Sequence, residues 1–433
     1  MSEQKAIKKK KFLGWYFDTP LVWRVLIALV LGAIIGIIVG PDIAVIEPLG
    51  ALMLRLLQMV VLPLIFFAIV VGVGGTPASK MGRIAGKILV YYIVTTVFAA
   101  SFGIALAHII KPGMGASLSG AAAGAEAVVA QSVPISEMFL NLIPNNVVGA
   151  FVEGSYLQIL FFALFVGLAI SFLRDSKNER TVKVVESVFD VCEGGSEIMF
   201  TITQAVLEYT PVGVFALIAV VFAQEGIGVI GSLGKLIAAC YIGYAFQLFI
   251  VYSALLKGAK LSPKTFFSNA KDVMLMAFAT RSSNSVLPLS MTTAEEDLGV
   301  SRTVSGFTLP LGAQVNMDGE AYYQIISVFF IANAIGLHLS AGQQFLMVLV
   351  VTLGSIGTAG VAGAGPVVLL AVMEMVGIPV SQAGTPAAAA FALILGIDVI
   401  LDMGRTMANV TGDLVGTCIV AKSENLMDMD KWK

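Results

Sequence analysis

Charged and amide side chains interrupt an otherwise apolar segment near the end of the chain, at residues 396–415 (GIDVILDMGRTMANVTGDLV). An α-helix turns by about 100° per residue, so these side chains would share one face about 100° wide. A charge at membrane depth costs at least about 2.5–3.5 kcal/mol and usually faces a bundle interior or a water-filled site. The segment therefore predicts a buried polar site, or alternatively an ion-pair network without a ligand. Its polar residues are Asp398, Asp402, Arg405, Thr406, Asn409 and Asp413.

A second polar run, NMDG at residues 316–319, interrupts another apolar segment. Asn316 and Asp318 supply hard oxygen ligands, and Gly319 is expected to loosen the helix and to free backbone carbonyl groups. Carboxylates beside freed carbonyl groups suit an alkali cation or a proton. The run therefore predicts a cation site.

Acidic side chains outnumber arginines in these polar segments. If all of them are ionised, the formal charge is −3, which a low-dielectric bundle does not tolerate without partners. We therefore expect sodium ions, protons or the ammonium group of a substrate to supply the missing positive charge. The acidic residues are Asp318, Glu320, Asp398, Asp402 and Asp413, and the arginines are Arg281 and Arg405.

The composition is that of a polytopic membrane protein. The chain has 433 residues, of which 58% are hydrophobic and 12% are charged, whereas soluble domains have about 25% charged residues. A net charge of −2 gives no reason to expect a nucleic-acid partner. The two histidines and three cysteines are too scattered for a metal site or a clear disulfide, and the lysine-rich start does not read as a signal peptide.

Six apolar runs are long enough to cross a bilayer. Lysine and arginine concentrate in alternate loops, which predicts a cytoplasmic amino terminus and regular alternation of the spans. In the first run Gly32, Gly36 and Gly40 are spaced by four residues, which predicts close helix packing. The runs lie at residues 21–40, 46–74, 86–110, 147–173, 198–222 and 230–256.

Two later apolar runs are interrupted by small and polar residues, TRSSNS at 280–285 and GSIGTAGVAGAG at 354–365. Each interrupted run is followed by one polar-striped span, at residues 308–332 and 386–420. Paired interruptions in two halves indicate an inverted repeat and a transport site, whereas two kinked glycine-rich helices are the alternative. The expected fold is an all-α polytopic membrane protein with eight transmembrane helices and two re-entrant helical hairpins.

Four motifs resemble those of the sodium-coupled glutamate/aspartate transporters, a family of dicarboxylate/amino acid:cation symporters that includes archaeal aspartate transporters. RSSNS (281–285) and SIGTAGVAGAG (355–365) resemble the tips of the two hairpins. NMDG (316–319) resembles the unwound seventh helix, and DMGRTMANVTGD (402–413) resembles the eighth helix. The resemblance runs from about residue 15 to residue 422, with the motifs in the family's order.

This resemblance implies a homotrimer in the plasma membrane, with both termini cytoplasmic. A fixed scaffold would hold a transport domain that carries the substrate by an elevator-like slide. The implied segments are scaffold helices 1 and 2 (12–75), transport-domain helix 3 (76–112), an outer linker with scaffold helices 4 and 5 (113–223), transport-domain helix 6 (224–261), the first hairpin (262–297), helix 7 (298–336), the second hairpin (337–377), helix 8 (378–422) and a cytoplasmic tail (423–433).

The resemblance also implies which residues contact the substrate. Asp402 would hold the amino group, and Arg405 would hold the side-chain carboxylate. Asn409 and the backbone of Ser283 would hold the α-carboxylate. The other implied substrate contacts are Met317, Glu320, Val361, Gly365 and Thr406.

Three sodium sites are implied in the same way, and no organic cofactor. The first would use Gly312, Asn316, Asn409 and Asp413. The second would use backbone carbonyl groups of Gln314, Ser355, Ile356 and Thr358. The third would use Tyr92, Thr95, Thr96, Asn316 and Asp318.

The chain departs from the family pattern at positions that affect selectivity. Glu320 stands where the family usually has threonine, and its carboxylate would compete with an acidic substrate for Arg405. Gln324 stands where animal members have a proton-carrying glutamate. Asn284 and Ala362 also depart from the usual hairpin tips.

The expected function is sodium-coupled symport of an amino acid, most simply aspartate, glutamate or a relative of them. The alternatives are a neutral or amide amino acid and a proton-coupled variant. A passive anion channel is a further alternative from another class, but it would need no charge-balanced closed site. The chain shows no nucleophile–base pair or metal triad, so it is not expected to be an enzyme. Asp398 is expected to pair with Arg281.

Overall fold

The computed structural model describes residues 19–75, 82–116, 140, 143–355, 363–378, 380 and 385–432. Within these ranges the chain is helical and contains no strand beyond one isolated bridge between Val300 and Met427. Five of the described helical stretches are long and apolar enough to cross a bilayer. The all-α prediction is therefore confirmed, and the chain has the architecture of a helical membrane protein.

Helices account for most of the described residues. Short 3₁₀ segments lie at Gly40–Ile46, Gly226–Gly228 and Met429–Trp432, and π turns lie at Gln247–Val251 and Thr293–Asp297. The α-helices are α1 (Leu21–Val39), α2 (Glu47–Gly74), α3 (Arg83–Ile110), α4 (Val147–Glu153), α5 (Tyr156–Leu173), α6 (Glu179–Glu225), α7 (Val229–Phe246), α8 (Tyr252–Gly258), α9 (Pro263–Thr280), α10 (Ser283–Thr292), α11 (Arg302–Val315), α12 (Asp318–Ala334), α13 (Ala341–Ser355), α14 (Gly365–Met375) and α15 (Pro386–Ser423).

Two predicted spans differ from the observed helices. The span at 147–173 is divided, because Gly154 adopts a φ of +71° and ends α4. The span at 198–222 is only the last part of α6, which is 47 residues long. Helix α6 begins after Asn178, whose side-chain oxygen accepts hydrogen bonds from the backbone N–H groups of Arg180 and Thr181. Its charged first half lowers the hydropathy without breaking the helix, so the apolar run marked only the later part.

The predicted close packing of the first span occurs at two of its three glycines. A Cβ atom on Gly32 would lie 2.7 Å from the carbonyl oxygen of Phe215, and one on Gly36 would collide with the backbone of Ala219. Helices α1 and α6 therefore approach each other backbone to backbone. Gly40 has open space around it and a φ of +67°, so it ends α1 rather than packing it.

The helices pack in two groups. Helix α6 packs along α1 and α2, and α2 also packs along α5. In the second group α12 and α15 pack against each other, with α3, α7, α9 and α11 around them. The most apolar window of α15 is 83% buried, against 39% for the stretch formed by α1 and α2. The polar-striped helix is therefore an interior element of its group.

Both predicted interruptions are breaks between helices. Helix α9 ends at Thr280, Arg281 has a φ of +57°, and the side chain of Ser282 caps α10 by accepting a hydrogen bond from the N–H of Ser285. Helix α13 ends at Ser355 and α14 begins at Gly365. Residues 356–362, which include the expected contacts Ile356, Thr358 and Val361, lie outside the described part of the chain.

The NMDG run breaks its helix, as predicted, but not at the glycine. Asn316 and Met317 have ψ angles of 95° and 50° and separate α11 from α12. Gly319 lies inside the first turn of α12. A Cβ atom there would collide with the backbone of Arg405. The expectation that Gly319 loosens the helix is therefore wrong, and the glycine instead permits the close approach of α12 to α15.

The last described residues fold back onto the segment before α11. The N–H of Ser301 donates to the carbonyl of Leu426 at 3.0 Å. The indole Nε1 of Trp432 donates to the carbonyl of Leu298 at 2.8 Å, and its side chain is buried. The expected cytoplasmic tail therefore packs against the rest of the chain.

The contact between α1 and α6 predicts that Gly36→Ala lowers stability. The new methyl group would force the two backbones apart, at a cost of about 1–3 kcal/mol for overpacking. The apparent melting temperature of the purified protein in detergent would measure this. Gly86→Ala in α3 is the control, because a Cβ there would meet no atom of the described residues within 4 Å. Equal melting temperatures for the two variants would contradict the close contact.

Candidate functional site

Arg405 lies at the centre of a buried charge cluster and is 2% exposed. Its Nε lies 3.0 Å from Asp402 Oδ1 and 3.1 Å from Glu320 Oε2. Its Nη1 donates to Asp398 Oδ1 at 3.0 Å. The Tyr323 ring centre lies 4.4 Å from the guanidinium carbon, in cation–π contact. The guanidinium is therefore bound by three carboxylates and one aromatic face.

Two helices build this cluster. Asp398 and Asp402 precede Arg405 by seven and three residues on continuous helix α15, so all three share a face, as the sequence predicted. Glu320 comes from the first turn of α12, which Gly319 allows to approach α15 closely. The side chain of Gln324 donates to Glu320 Oε1 at 3.1 Å, which confirms that these two residues share a face of α12.

Asp402 connects both interruptions to α15. Arg281, in the break between α9 and α10, lies 3.4 Å from Asp402 Oδ2. The N–H of Gly363, just before α14, donates to the same oxygen at 3.3 Å. Thr406 donates to Asp402 Oδ1 at 3.2 Å. The carboxylate thus has partners from three separate segments.

The predicted pairing of Asp398 with Arg281 is wrong. Asp398 hydrogen-bonds Arg405, and Arg281 instead reaches Asp402. Asp398 lies two helical turns before Arg405 on the same face of α15, so the guanidinium reaches it within the helix. If all are ionised, the three carboxylates and two guanidinium groups of this cluster carry a formal charge of −1.

Asp318 forms a second, different site. It is fully buried, and its Oδ1 accepts a hydrogen bond from Thr96 at 2.9 Å. Its Oδ2 accepts from Gln247 Nε2 and from the Tyr252 hydroxyl, both at 2.8 Å. All three donors are neutral. They satisfy oxygen lone pairs but do not balance the charge of an ionised carboxylate.

Asp413 also accepts its hydrogen bond from a neutral group. Asn316 Nδ2 donates to Asp413 Oδ1 at 2.9 Å and lies 3.2 Å from the carbonyl of Asn409. The other amide atom, Asn316 Oδ1, is buried and has no hydrogen-bond partner among the described residues. Within the same ranges neither Asp318 nor Asp413 has an ion-pair partner. Unpaired carboxylates beside an unused amide oxygen fit an alkali cation.

Asn409 lies between the two groups of carboxylates. Its Oδ1 accepts a hydrogen bond from the N–H of Gly319 at 2.7 Å, and its Nδ2 lies 3.1 Å from the sulfur of Met317. Its backbone carbonyl accepts from Asn316. The residue therefore contacts both the helix that carries Glu320 and the amide beside Asp413.

Tyr92, Gly312 and Gly365 are further expected residues that adjoin these two groups. Ser283 is buried at the start of α10, and Gly365 begins α14 against the guanidinium of Arg405. A Cβ on Gly312 would lie 2.5 Å from both Asp413 Oδ1 and the Tyr92 hydroxyl, so these groups surround one point. Three hydroxyl groups have backbone partners, namely Tyr92 with Thr308, Thr95 with Tyr91, and Ser355 with Thr352.

Gln314 is placed apart from these groups. Its side chain donates to Asn284 Oδ1 at 3.0 Å and lines an open cleft between α2, α6 and α11. The resemblance to the family assigns its backbone carbonyl, not its side chain, to a sodium site. The side-chain contact ties the first interruption to α11.

Sequence reasoning missed Gln247, Tyr252 and Tyr323. Gln247 and Tyr252 bind the carboxylate of Asp318, and Tyr323 covers the guanidinium of Arg405. The only sign of Gln247 in the sequence is a lone amide inside the apolar run at 230–256. Nothing in the sequence indicated a role for the two tyrosines, because aromatic residues are ordinary in apolar spans.

The fold and the site define a helical membrane protein that encloses carboxylates without ion-pair partners, among the described residues, next to a charged cluster. Ionisable residues inside membrane segments usually mark a pathway for substrates, ions or protons. Residues 21–423 match the sodium:dicarboxylate symporter family, and the chain belongs to that family. It is thus a transporter and not an enzyme.

Similar proteins include symporters from several bacteria. The proton/glutamate-aspartate symporter of Escherichia coli (strain K12) is 35% identical over 428 residues, which cover 95% of this chain and 94% of that protein. The proton/sodium-glutamate symport protein of Bacillus subtilis (strain 168) is 34% identical, with coverage of 95% and 94%. The C4-dicarboxylate transport protein of Rhizobium leguminosarum is 33% identical, with coverage of 95% and 90%.

The contact of Gly365 with Arg405 predicts that Gly365→Ala disturbs the charge cluster. The methyl group would displace the guanidinium from its carboxylates, and we expect a loss of stability of about 1–3 kcal/mol. Thermal unfolding of the purified variant would measure it. Gly354→Ala in α13 is the matched control, since the nearest described atom to its Cβ would be in the side chain of Val368, at 4.0 Å. A variant as stable as this control would argue against the contact.

Proposed function

We propose that the protein is a sodium-coupled symporter of an acidic amino acid, glutamate or aspartate. The observation that carries this proposal is one buried face of α15, which holds the guanidinium of Arg405 and also Asp413, a carboxylate without an ion-pair partner among the described residues. Relatives named for glutamate, aspartate and C4-dicarboxylates support an acidic substrate. Two of these names include a proton, and one of them also includes sodium.

Each charged group of the substrate has a counterpart in this site. Asp402 binds the ammonium group, a charge-assisted hydrogen bond. Asn409 and the backbone of Ser283 bind the α-carboxylate. Arg405 binds the side-chain carboxylate, because the planar fork of a guanidinium matches the two oxygens of a carboxylate. Thr406, Met317, Gly365 and Val361 complete the contacts.

Charge balance couples the substrate to cations. The cluster around Arg405 has a formal charge of −1 before an acidic amino acid adds a further negative charge. Ionised Asp318 and Asp413 bring the total to −4, and bound sodium ions reduce this excess, so each ion favours the substrate and the substrate favours each ion. Such coupling is reciprocal, because linked binding equilibria change each other's affinity by the same factor. The other sodium ligands are those expected from the resemblance.

A neutral or amide-bearing amino acid is the second candidate substrate. It is favoured by the contact of 3.1 Å between Glu320 and Arg405, since Glu320 already neutralises part of the guanidinium charge. A proton taken up with the substrate would relieve the same conflict. The names of the relatives make the acidic substrate the first choice.

The two packing groups suggest how the solute crosses. We infer that α1, α2, α5 and α6 form a fixed scaffold, and that the helices around α12 and α15 slide past it as an elevator. Exposed apolar side chains on α1, including Trp23, Ile34 and Ile38, suit lipid or neighbouring subunits of a homotrimer. The plasma membrane with both termini cytoplasmic is the proposed location.

Transport in proteoliposomes tests the proposed function. An inward sodium gradient should drive uphill accumulation of L-glutamate or L-aspartate, and Asp402→Asn should abolish binding and uptake because it removes the partner of the ammonium group. Asp272→Asn, which removes an exposed carboxylate on α9, is the control and should transport normally.

Three results would contradict this proposal. Flux that runs only down the gradient of the amino acid would indicate a channel. Accumulation that follows a proton gradient and ignores sodium would indicate proton coupling. Unchanged affinity in purified Asp402→Asn would remove Asp402 from the site.

Glu320 predicts a change of selectivity. Glu320→Thr removes the carboxylate that competes for Arg405, so the ratio of affinities for aspartate or glutamate over asparagine or glutamine should rise by about tenfold or more, equivalent to at least about 1.4 kcal/mol. Competition binding with the four amino acids at saturating sodium would measure the ratio. Glu296→Thr, at an exposed position in a π turn, should leave it unchanged. If Glu320→Thr keeps the parent ranking at both pH 5 and pH 8, Glu320 does not set selectivity.

A further inference from the structure

Helix α7 is followed by a π turn, Gln247–Val251, before α8 begins at Tyr252. The N–H of Tyr252 donates to the carbonyl of Gln247, which is the hydrogen bond between residues five apart that defines such a turn. In a regular α-helix, residues five apart would point about 140° from each other. The wider π turn instead places both side chains over the same neighbour.

That neighbour is Asp318. Gln247 Nε2 and the Tyr252 hydroxyl each lie 2.8 Å from Asp318 Oδ2. All three residues are fully buried. Thr96 on α3 donates to Oδ1, so the two donors of the π turn share the opposite oxygen of the carboxylate.

The donors around Asp318 are themselves held in place. The Tyr322 hydroxyl donates to Gln247 Oε1 at 3.2 Å, which orients the amide so that its Nε2 faces the carboxylate. The Tyr252 hydroxyl also lies 3.1 Å from the carbonyl of Ala408. Its single proton goes to the carboxylate, because that acceptor is closer and charged.

Gly412 on α15 makes room for this arrangement. A Cβ atom there would collide with the Tyr252 hydroxyl and would lie 2.6 Å from Asn316 Nδ2. Tyr252 and Asn316 therefore crowd over the same point of α15. Tyr252, which donates to Asp318, is therefore a neighbour of Asn316, whose Oδ1 has no partner among the described residues.

We propose that the π turn positions Asp318 for sodium, with Gln247 and Tyr252 as positioning residues. This inference rests on the proposed function, in which Asp318 is a sodium ligand. Two donors fix the Oδ2 side of the carboxylate, so Oδ1 is presented to the ion in one orientation. Groups that orient a metal ligand affect metal affinity by about 10–100-fold when they are removed. A carboxylate held in this way also favours an ion of one size over others.

The test uses sodium alone, without substrate, as the probe. Sodium chloride is titrated against choline chloride at constant ionic strength, and the rise in melting temperature of the purified protein gives the sodium midpoint. Tyr252→Phe and Gln247→Leu should each raise this midpoint by about tenfold. At saturating sodium, the affinity for L-glutamate should change by less than about twofold, a split that a general packing defect would not produce.

Tyr241→Phe is the matched control. Tyr241 lies on α7, and its hydroxyl donates to the carbonyl of Ile400 on α15 at 2.7 Å. The variant therefore also removes one tyrosine hydroxyl from a contact between the same two parts of the structure. Its sodium midpoint should equal that of the parent protein, even if its melting temperature falls.

The outcomes separate this inference from the proposed function. Should both π-turn variants keep the parent midpoint while Asp318→Asn loses the sodium response, the positioning role is wrong and Asp318 remains a ligand. Should Asp318→Asn respond to sodium like the parent, the assignment of Asp318 itself is wrong. A raised midpoint in Tyr241→Phe as well would show a general packing effect and would also overturn the positioning role.

Discussion

The contact of one guanidinium with three carboxylates is the interaction on which the buried site depends. Glu320, Asp398 and Asp402 lie within 3.1 Å of Arg405 in an interior with little access to water. The carboxylates would repel one another without it, and breaking a buried ion pair costs about 3–5 kcal/mol. The close crossing of α12 and α15 follows from this requirement. It is possible because Gly319 has no side chain where the Arg405 backbone passes.

The neighbouring carboxylates are held by a different principle. Asp318 and Asp413 receive hydrogen bonds from neutral groups, which orient an oxygen without cancelling its charge. When these carboxylates are ionised, the folded protein is more stable with a bound cation than without one. Asn409 contacts both regions, one through its backbone carbonyl and one through its side chain, so a change at either region reaches the other through a single residue. This connection is the physical basis of the coupling that we propose.

Much of this site could be predicted because charges and breaks are conspicuous in apolar sequence. The shared face of α15, a helix break in the NMDG run, and the two interruptions were all visible from residue types and spacing, although the break was expected at Gly319. The contact partners of these residues could not be predicted, because they depend on which segments pack together. The spacing of Asp398 did not show whether it would meet Arg281 or Arg405. The length of α6 was hidden because its charged first half lies outside the apolar run, and the π turn at Gln247 was hidden because it does not interrupt the pattern of apolar residues.

The position of Glu320 on the guanidinium bears on the proposed acidic substrate. Glu320 contacts Arg405 at Nε, Asp398 contacts it at Nη1, and Gly365 at the start of α14 packs closely against the guanidinium. A side-chain carboxylate that binds Arg405 would therefore compete with these acidic partners for its N–H groups. Glu320 both weakens the attraction of the guanidinium for an acidic group and occupies one of its donors. In the proposed function, a residue in this place adjusts how strongly the site prefers an acid over its amide.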